Sequence, residues 1–173
     1  GNETQAIASY EQVLASQASS PESRGEANLS LAEVYFKRRD YARARGYYQA
    51  VLGTPQAASK GLAAYRAAWC EFNSEHLEAA VQGLVKVLRT PELLSRNAQA
   101  GIVQVDKQFQ EEVSRDLVTF LTRRPVRVAD AQLIFDLSPE SVRLGNLASL
   151  ASEAERLGQS PAAIDLWRFS QEK

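Results

Sequence analysis

Nucleophilic catalysis needs a thiol or hydroxyl beside a base, and this sequence offers one pairing to test: its only cysteine, Cys70, and its only histidine, His76. They lie six residues apart in the chain. At about 100° per helical residue they point about 240° apart, so on one helix they do not face each other. His76 is expected in a turn between helices, and Cys70 as a small apolar packing residue. One cysteine and one histidine also fall short of the usual ligand set of a zinc site within one chain. Neither G-x-G-x-x-G nor a P-loop occurs. The carboxylates scatter over the expected helix surfaces, with no pair whose surroundings suggest a raised pKa. The expectation is a non-enzymatic chain without catalytic residues, metal or cofactor.

The remaining function classes narrow by composition. At 45% hydrophobic and 24% charged residues, the 173-residue chain has the balance of a folded soluble domain, far from a disordered one. A net charge of −1 supplies no global field toward nucleic acid or an anionic membrane. No run approaches the roughly 18 apolar residues that span a bilayer, so direct membrane insertion is not expected of this chain. It opens on Gly1-Asn2 and contains no methionine. It is therefore expected to start inside a larger protein, with any targeting segment outside it.

The elements that must position any site are helices. Five prolines follow Ser or Thr: Ser20-Pro21, Thr54-Pro55, Thr90-Pro91, Ser138-Pro139 and Ser160-Pro161. A hydroxyl oxygen can accept from the orphan N–H groups of a helix start, and proline at the first position gives up an N–H that had no partner. Each pair is read as a helix N-terminus. Between them apolar residues recur at helical spacing, and the one strand-like alternation is Ile102-Val103-Gln104-Val105. The class is all-α.

One pattern recurs along the chain. From Gly25 to Pro55, Leu31, Ala32 and Tyr35 are followed by Ala44, Tyr48 and Val51. The next copy carries Ala67-Ala68, then Ala80, Leu84 and Val87, with Glu71 where the first has Tyr35. Near the C-terminus Leu147, Leu150 and Ala151 are followed by Gly158, Ala163 and Trp167. The opening segment offers Ala6, Tyr10 and Val13, and a divergent copy has Ala131 and Phe135. This set resembles the tetratricopeptide repeat (TPR), in which small residues let two antiparallel helices approach and aromatic rings fill the volume against the next repeat. The second-helix alanines Ala6, Ala44, Ala80, Ala131 and Ala163 lie 38, 36, 51 and 32 residues apart. A strict TPR repeats at about 34, so the long interval implies added material, one helix or a helix with a bend around Gly101. The resemblance implies one TPR-like α-α superhelix over 1–173, a right-handed solenoid of stacked antiparallel pairs. Its parts are a lone second helix at 2–16, repeats at 22–53 and 57–89, an insertion at 91–110, a divergent repeat at 111–137 and a repeat at 140–172.

The resemblance also implies a way of working. TPR first helices line a concave groove at positions i, i+4, i+7, here Tyr65, Trp69 and Phe72 in one copy and Leu29, Glu33 and Phe36 in the copy before it. Aromatic anchors on a concave surface suit an apolar peptide or amphipathic helix; the same rings would equally serve as core against the next repeat. Leu29 and Glu33 stand where a clamp for a chaperone's C-terminal carboxylate carries Lys and Asn, which disfavours that ligand. Arg38 and Arg39, and Arg123 and Arg124, fall at interhelix turns and would share one edge, as solvated turns or as a contact for an acidic partner. Glu75 and Glu78 interrupt that edge and no stacking aromatics accompany it, so nucleic acid is not expected. The segments AAYRAAWCEFN, VSRDLVTFL and NLASLASEAERLGQSPAAIDLW resemble envelope-associated TPR proteins of bacteria, including deltaproteobacterial gliding-motility components. The expected function is a protein-binding scaffold in such an assembly, at the envelope or periplasm with the cytoplasm left open. The alternative is a regulatory or substrate-recruiting module of a larger enzyme.

Overall fold

The computed structural model describes residues 2–55, 57–95 and 103–172. Among these, nine α-helices and no strand occur: α1 (Asn2–Ala15), α2 (Pro21–Lys37), α3 (Tyr41–Gly53), α4 (Lys60–Asn73), α5 (Leu77–Arg89), α6 (Lys107–Leu121), α7 (Val128–Leu137), α8 (Glu140–Arg156) and α9 (Ser160–Glu172). A 3₁₀ turn, Pro91–Leu94, follows α5. Neighbouring helices pack in pairs along the chain, and α6 also reaches α8 while α7 reaches α9.

Helix starts follow the Ser/Thr-Pro pairs only in part. Ser20 does cap α2, its hydroxyl accepting from the Ser23 N–H at 3.1 Å. Thr54-Pro55 starts no helix; Thr54 closes α3 and donates back to the Ala50 carbonyl at 3.0 Å. Ser138 closes α7, and its hydroxyl accepts from Asn146 Nδ2 at 3.0 Å. Two strong caps are aspartates instead: Asp40 accepts from Arg43 N–H at 3.1 Å and Asp106 from Phe109 N–H at 3.0 Å. A carboxylate at the positive end of the helix dipole fits that role better than a neutral hydroxyl.

The three pairs α2–α3, α4–α5 and α8–α9 close through one turn. After α2, Arg39 takes φ 60°, its N–H donates to Phe36 O at 2.9 Å, and the Asp40 N–H reaches Tyr35 O at 2.9 Å. After α4, Glu75 takes φ 63°, and the His76 N–H reaches Glu71 O at 2.9 Å. After α8, Gly158 takes φ 73°, and the Gln159 N–H reaches Ala154 O at 2.9 Å. Each is a Schellman closure, satisfying carbonyls the helix end would otherwise strand. Two helices folded back by the same turn bring the same positions together. Ala32 and Ala44, Ala68 and Ala80, and Ala151 and Ala163 are all buried, each pair twelve residues apart. The α6–α7 connection is different. It has no residue at positive φ and is held by side chains: Arg124 forks onto Asp130 with two bonds of 2.9 Å, and the Val126 N–H donates to Gln159 Oε1 at 2.7 Å.

Where the sequence implies an insertion over 91–110, the described part holds the 3₁₀ turn, and α6 already begins at Lys107. The Asp106 N–H donates to Leu94 O at 2.8 Å, tying the two sides of the stretch together. Val103–Val105 form no strand; Ile102 and the bend expected at Gly101 lie outside the described residues.

Two apolar clusters meet on α4. Ala63 and Cys70 belong to the cluster built by Leu31, Tyr35, Ala44 and Tyr48, whereas Tyr65 and Ala68 belong to the one that runs through α5–α9. This helix is therefore the shared wall of the molecule, and any site on it is held from both sides.

Candidate functional site

Cys70 and His76 do not form a reactive pair. Cys70 is buried, and burial pushes its thiol up to about 12, which keeps it protonated at neutral pH. His76 is exposed at the start of α5, its Nδ1 2.8 Å from Glu71 Oε2. Glu71, standing where the first repeat has Tyr35, also takes Arg45 at 2.6 Å and so ties α3 to α4. No group of three or more His, Cys, Asp or Glu side chains converges to hold a metal among the described residues. No helix among them is long and apolar enough to cross a membrane.

Two arginines of the expected basic edge are ion-paired within the chain. Arg38 pairs with Glu3 of α1. Arg124 is committed to Asp130, which also accepts from the Arg127 N–H at 2.8 Å. Arg123 lies 5.5 Å over the Phe72 ring. Arg39 occupies the left-handed turn position after α2. Arg38, Arg39 and Arg123 remain exposed.

The aromatic stripe lies partly under another helix. Tyr65 is buried, and Trp69 and Phe72 are half-buried, because α6 lies across them. Phe72 stacks on Phe120 with centroids 4.2 Å apart, and Trp69 meets Phe120 edge-on at 4.9 Å. These rings brace α4 against α6, with Trp69 and Phe72 left half-exposed. On the other flank, Leu29 and Phe36 of α2 are half-buried, and Phe36 packs edge-on against Tyr41 at 5.5 Å.

Between the two flanks the structure builds a polar array that the sequence reading did not single out. Arg66 of α4 lies 5.2 Å over the Phe36 ring and 3.6 Å from Glu33 Oε1, too far for a hydrogen bond. Glu33 instead accepts from Tyr48 Oη at 2.7 Å. On the other side Tyr65 Oη lies 2.6 Å from Asp116 Oδ2 and 3.1 Å from Glu112 Oε1, and Trp69 Nε1 donates to the same Asp116 Oδ2 at 3.1 Å. Burial holds the Asp116 carboxyl above its ordinary range, against the pull of the Tyr65 and Trp69 bonds. Burial likewise raises the Tyr65 and Tyr48 phenols, so both remain donors at any physiological pH. A pocket of about 530 Å³ opens beside this array, its walls including Leu62, Tyr65, Arg66, Ser95, Phe109 and Glu112. Two buried polar atoms on its wall, Arg66 Nε and Ser95 Oγ, have no hydrogen-bond partner. The one available signal for this array in the sequence is Glu112 and Asp116, like charges four apart on one helix face, which weaken a helix unless something uses them. No protein-family model matches the chain, and no curated protein aligns with it.

Proposed function

We propose that the chain is a TPR-type α-α superhelix that holds a segment of a protein partner on the face shared by α2, α4 and α6, within a bacterial multiprotein assembly at the envelope. The observation that carries the reading is the threefold return of one helix pair, with the same Schellman bonds after Tyr35, Glu71 and Ala154 and the same buried alanine spacing. Repeats of this kind bury their apolar faces only by stacking, and stacking leaves an extended face on the first helices, where such scaffolds take ligands. On that face Leu62 is exposed beside the pocket. Glu112 lines the pocket, and Glu33 and Asp116 lie next to its wall residues Arg66 and Tyr65, which suits a protein segment better than nucleic acid. What supports the envelope placement is the resemblance of the three sequence segments. Site-specific photo-crosslinking in the native cell tests the proposal. A crosslinker at Leu62 is expected to capture a discrete protein, and one at Gln49, on the trough between α3 and α5, to capture none. Capture at neither position overturns it.

A further inference from the structure

The polar array beside the pocket is short of positive charge. Tyr65 has one hydroxyl proton yet faces two carboxylate oxygens, at 2.6 Å on Asp116 and 3.1 Å on Glu112. A single O–H satisfies one of them, so the other is left facing a phenol oxygen. Arg66, the one guanidinium between the three carboxylates, lies 3.6 Å from Glu33 and over the Phe36 and Tyr65 rings, and it hydrogen-bonds to none of them. An independent sign of a missing group comes from the pocket wall. Ser95 is 5% exposed and its hydroxyl has no partner; the other unbonded donor of the wall, Arg66 Nε, faces Glu33 Oε1 at 3.6 Å. Buried polar atoms are nearly always paired, and the Ser95 orphan on the wall of this pocket marks where a ligand's polar atom belongs.

Resting on the docking reading above, we propose that the pocket receives a lysine or arginine side chain of a basic partner segment. The cation sits against Glu112 and, through Tyr65, the Asp116 carboxylate. Its aliphatic stem lies along Leu62 and Phe109, as long cationic side chains cover apolar surface while their heads stay with charge. Ser95 bonds a peptide group of the same segment. An acidic ligand is the poorer complement, because the Arg66 charge it would seek is already outweighed by Glu33, Glu112 and Asp116. Aromatic faces at Tyr65 and Phe36 add attraction for a cation and none for an anion.

Three short peptides with the same alternating leucines, carrying lysine, glutamine or glutamate between them, test the proposal on the full chain. Calorimetry measures affinity, and Trp69 fluorescence reports the site in a Trp167→Phe background. The lysine peptide is expected to bind best and to weaken with added salt. Glu112→Gln, at an exposed position where the amide oxygen can still accept from Tyr65, is expected to melt near wild type and to weaken binding about tenfold, the loss of a charged hydrogen bond. Glu112→Lys is expected to move the preference to the glutamate peptide, and Ser95→Ala to cause a smaller loss. A tighter glutamate peptide, equal binding of all three, or no binding of the lysine peptide overturns the cation site. The docking reading then stands or falls separately on whether the Leu62 crosslinker still captures a partner.

Discussion

Tyr65 on α4 and Asp116 on α6 are joined by a 2.6 Å hydrogen bond whose acceptor, Oδ2, also takes the Trp69 indole N–H at 3.1 Å. Both donors fall on one oxygen, so an amide carbonyl in its place can hold them without carrying charge. Burial raises the Asp116 pKa in the folded chain above its value in the unfolded one. The folded state therefore favours the protonated form. This group's contribution is most favourable in acid and declines as pH rises through the folded pKa. Asp116→Asn is expected to melt at or above the wild-type temperature at pH 7, by no more than about 1 kcal/mol because the carboxylate is only partly desolvated. The difference should vanish toward pH 4. Asp116→Ala, which strands both donors, should melt lower at either pH. Parallel melting curves of wild type and Asp116→Asn across that range would refute the assignment.

Close approach sets the second prediction. A Cβ on Gly61 would stand 2.0 Å from the Leu93 carbonyl oxygen, and one on Gly83 would stand 2.8 Å from Ala68 Cβ. The first contact is with backbone of the 3₁₀ turn and cannot yield without moving it. Gly61→Ala is expected to cost about 3 kcal/mol, the upper end for overpacking, and Gly83→Ala less. Gly46 is the control, since a Cβ there meets nothing within 4 Å. Gly46→Ala within α3 should stabilise by about 0.5–1 kcal/mol through helix propensity alone. Chemical denaturation of the three variants checks the order.

The recurring turn gives a third prediction from conformation rather than contact. Arg39 and Glu75 hold φ near 60° with a side chain that disfavours it, whereas the equivalent position after α8 is Gly158. Glu75→Gly is expected to raise stability by about 1 kcal/mol, or about 2–4 °C in Tm for a chain of this size. Gly158→Ala should lower it by a similar amount. A Cβ at Gly158 meets nothing within 4 Å, so that loss would be purely conformational. Unchanged Tm in both variants would contradict the left-handed assignment.

These elements show what the sequence makes legible. Helix periodicity and the recurring small residues, Ala32 with Ala44 and Ala68 with Ala80, exposed the helix pairs, because the approach of two helices depends on small side chains at fixed positions. Thr54-Pro55 misled because a hydroxyl next to proline serves a helix end as readily as a start, and Thr54 bonds backward to Ala50. The α6–α7 connection was unreadable because Asp130, Arg124 and Gln159 close it through contacts distant in sequence or specific to that loop. The candidate site was half legible. The spacing of Tyr65, Trp69 and Phe72 correctly put them on one helix face, but whether that face is open depends on where α6 lies. The 51-residue interval that displaces α6 carries no repeat signal. Asp116 and Glu112 acquire meaning only once Tyr65 is seen between them.

The last prediction separates bracing from binding at Trp69. Its ring meets Phe120 at 4.9 Å and Phe72 at 5.3 Å, and its N–H bonds Asp116. Trp69→Ala removes both ring contacts and opens a cavity between α4 and α6, at an expected cost of about 3 kcal/mol. Trp69→Phe keeps most of the packing and loses the hydrogen bond, at about 1 kcal/mol. A residue that braces two helices should thus show a large loss with Ala, largely recovered with Phe. Affinity for the lysine peptide should follow the same order, because Asp116 and Tyr65 stay in place only while α4 and α6 do. A residue that mainly contacts a partner would behave differently, with Trp69→Ala melting near wild type while binding collapses. Thermal melting of the two variants, measured beside calorimetry with the lysine peptide, decides between them, and a Trp69→Ala chain that melts like wild type sinks the bracing role.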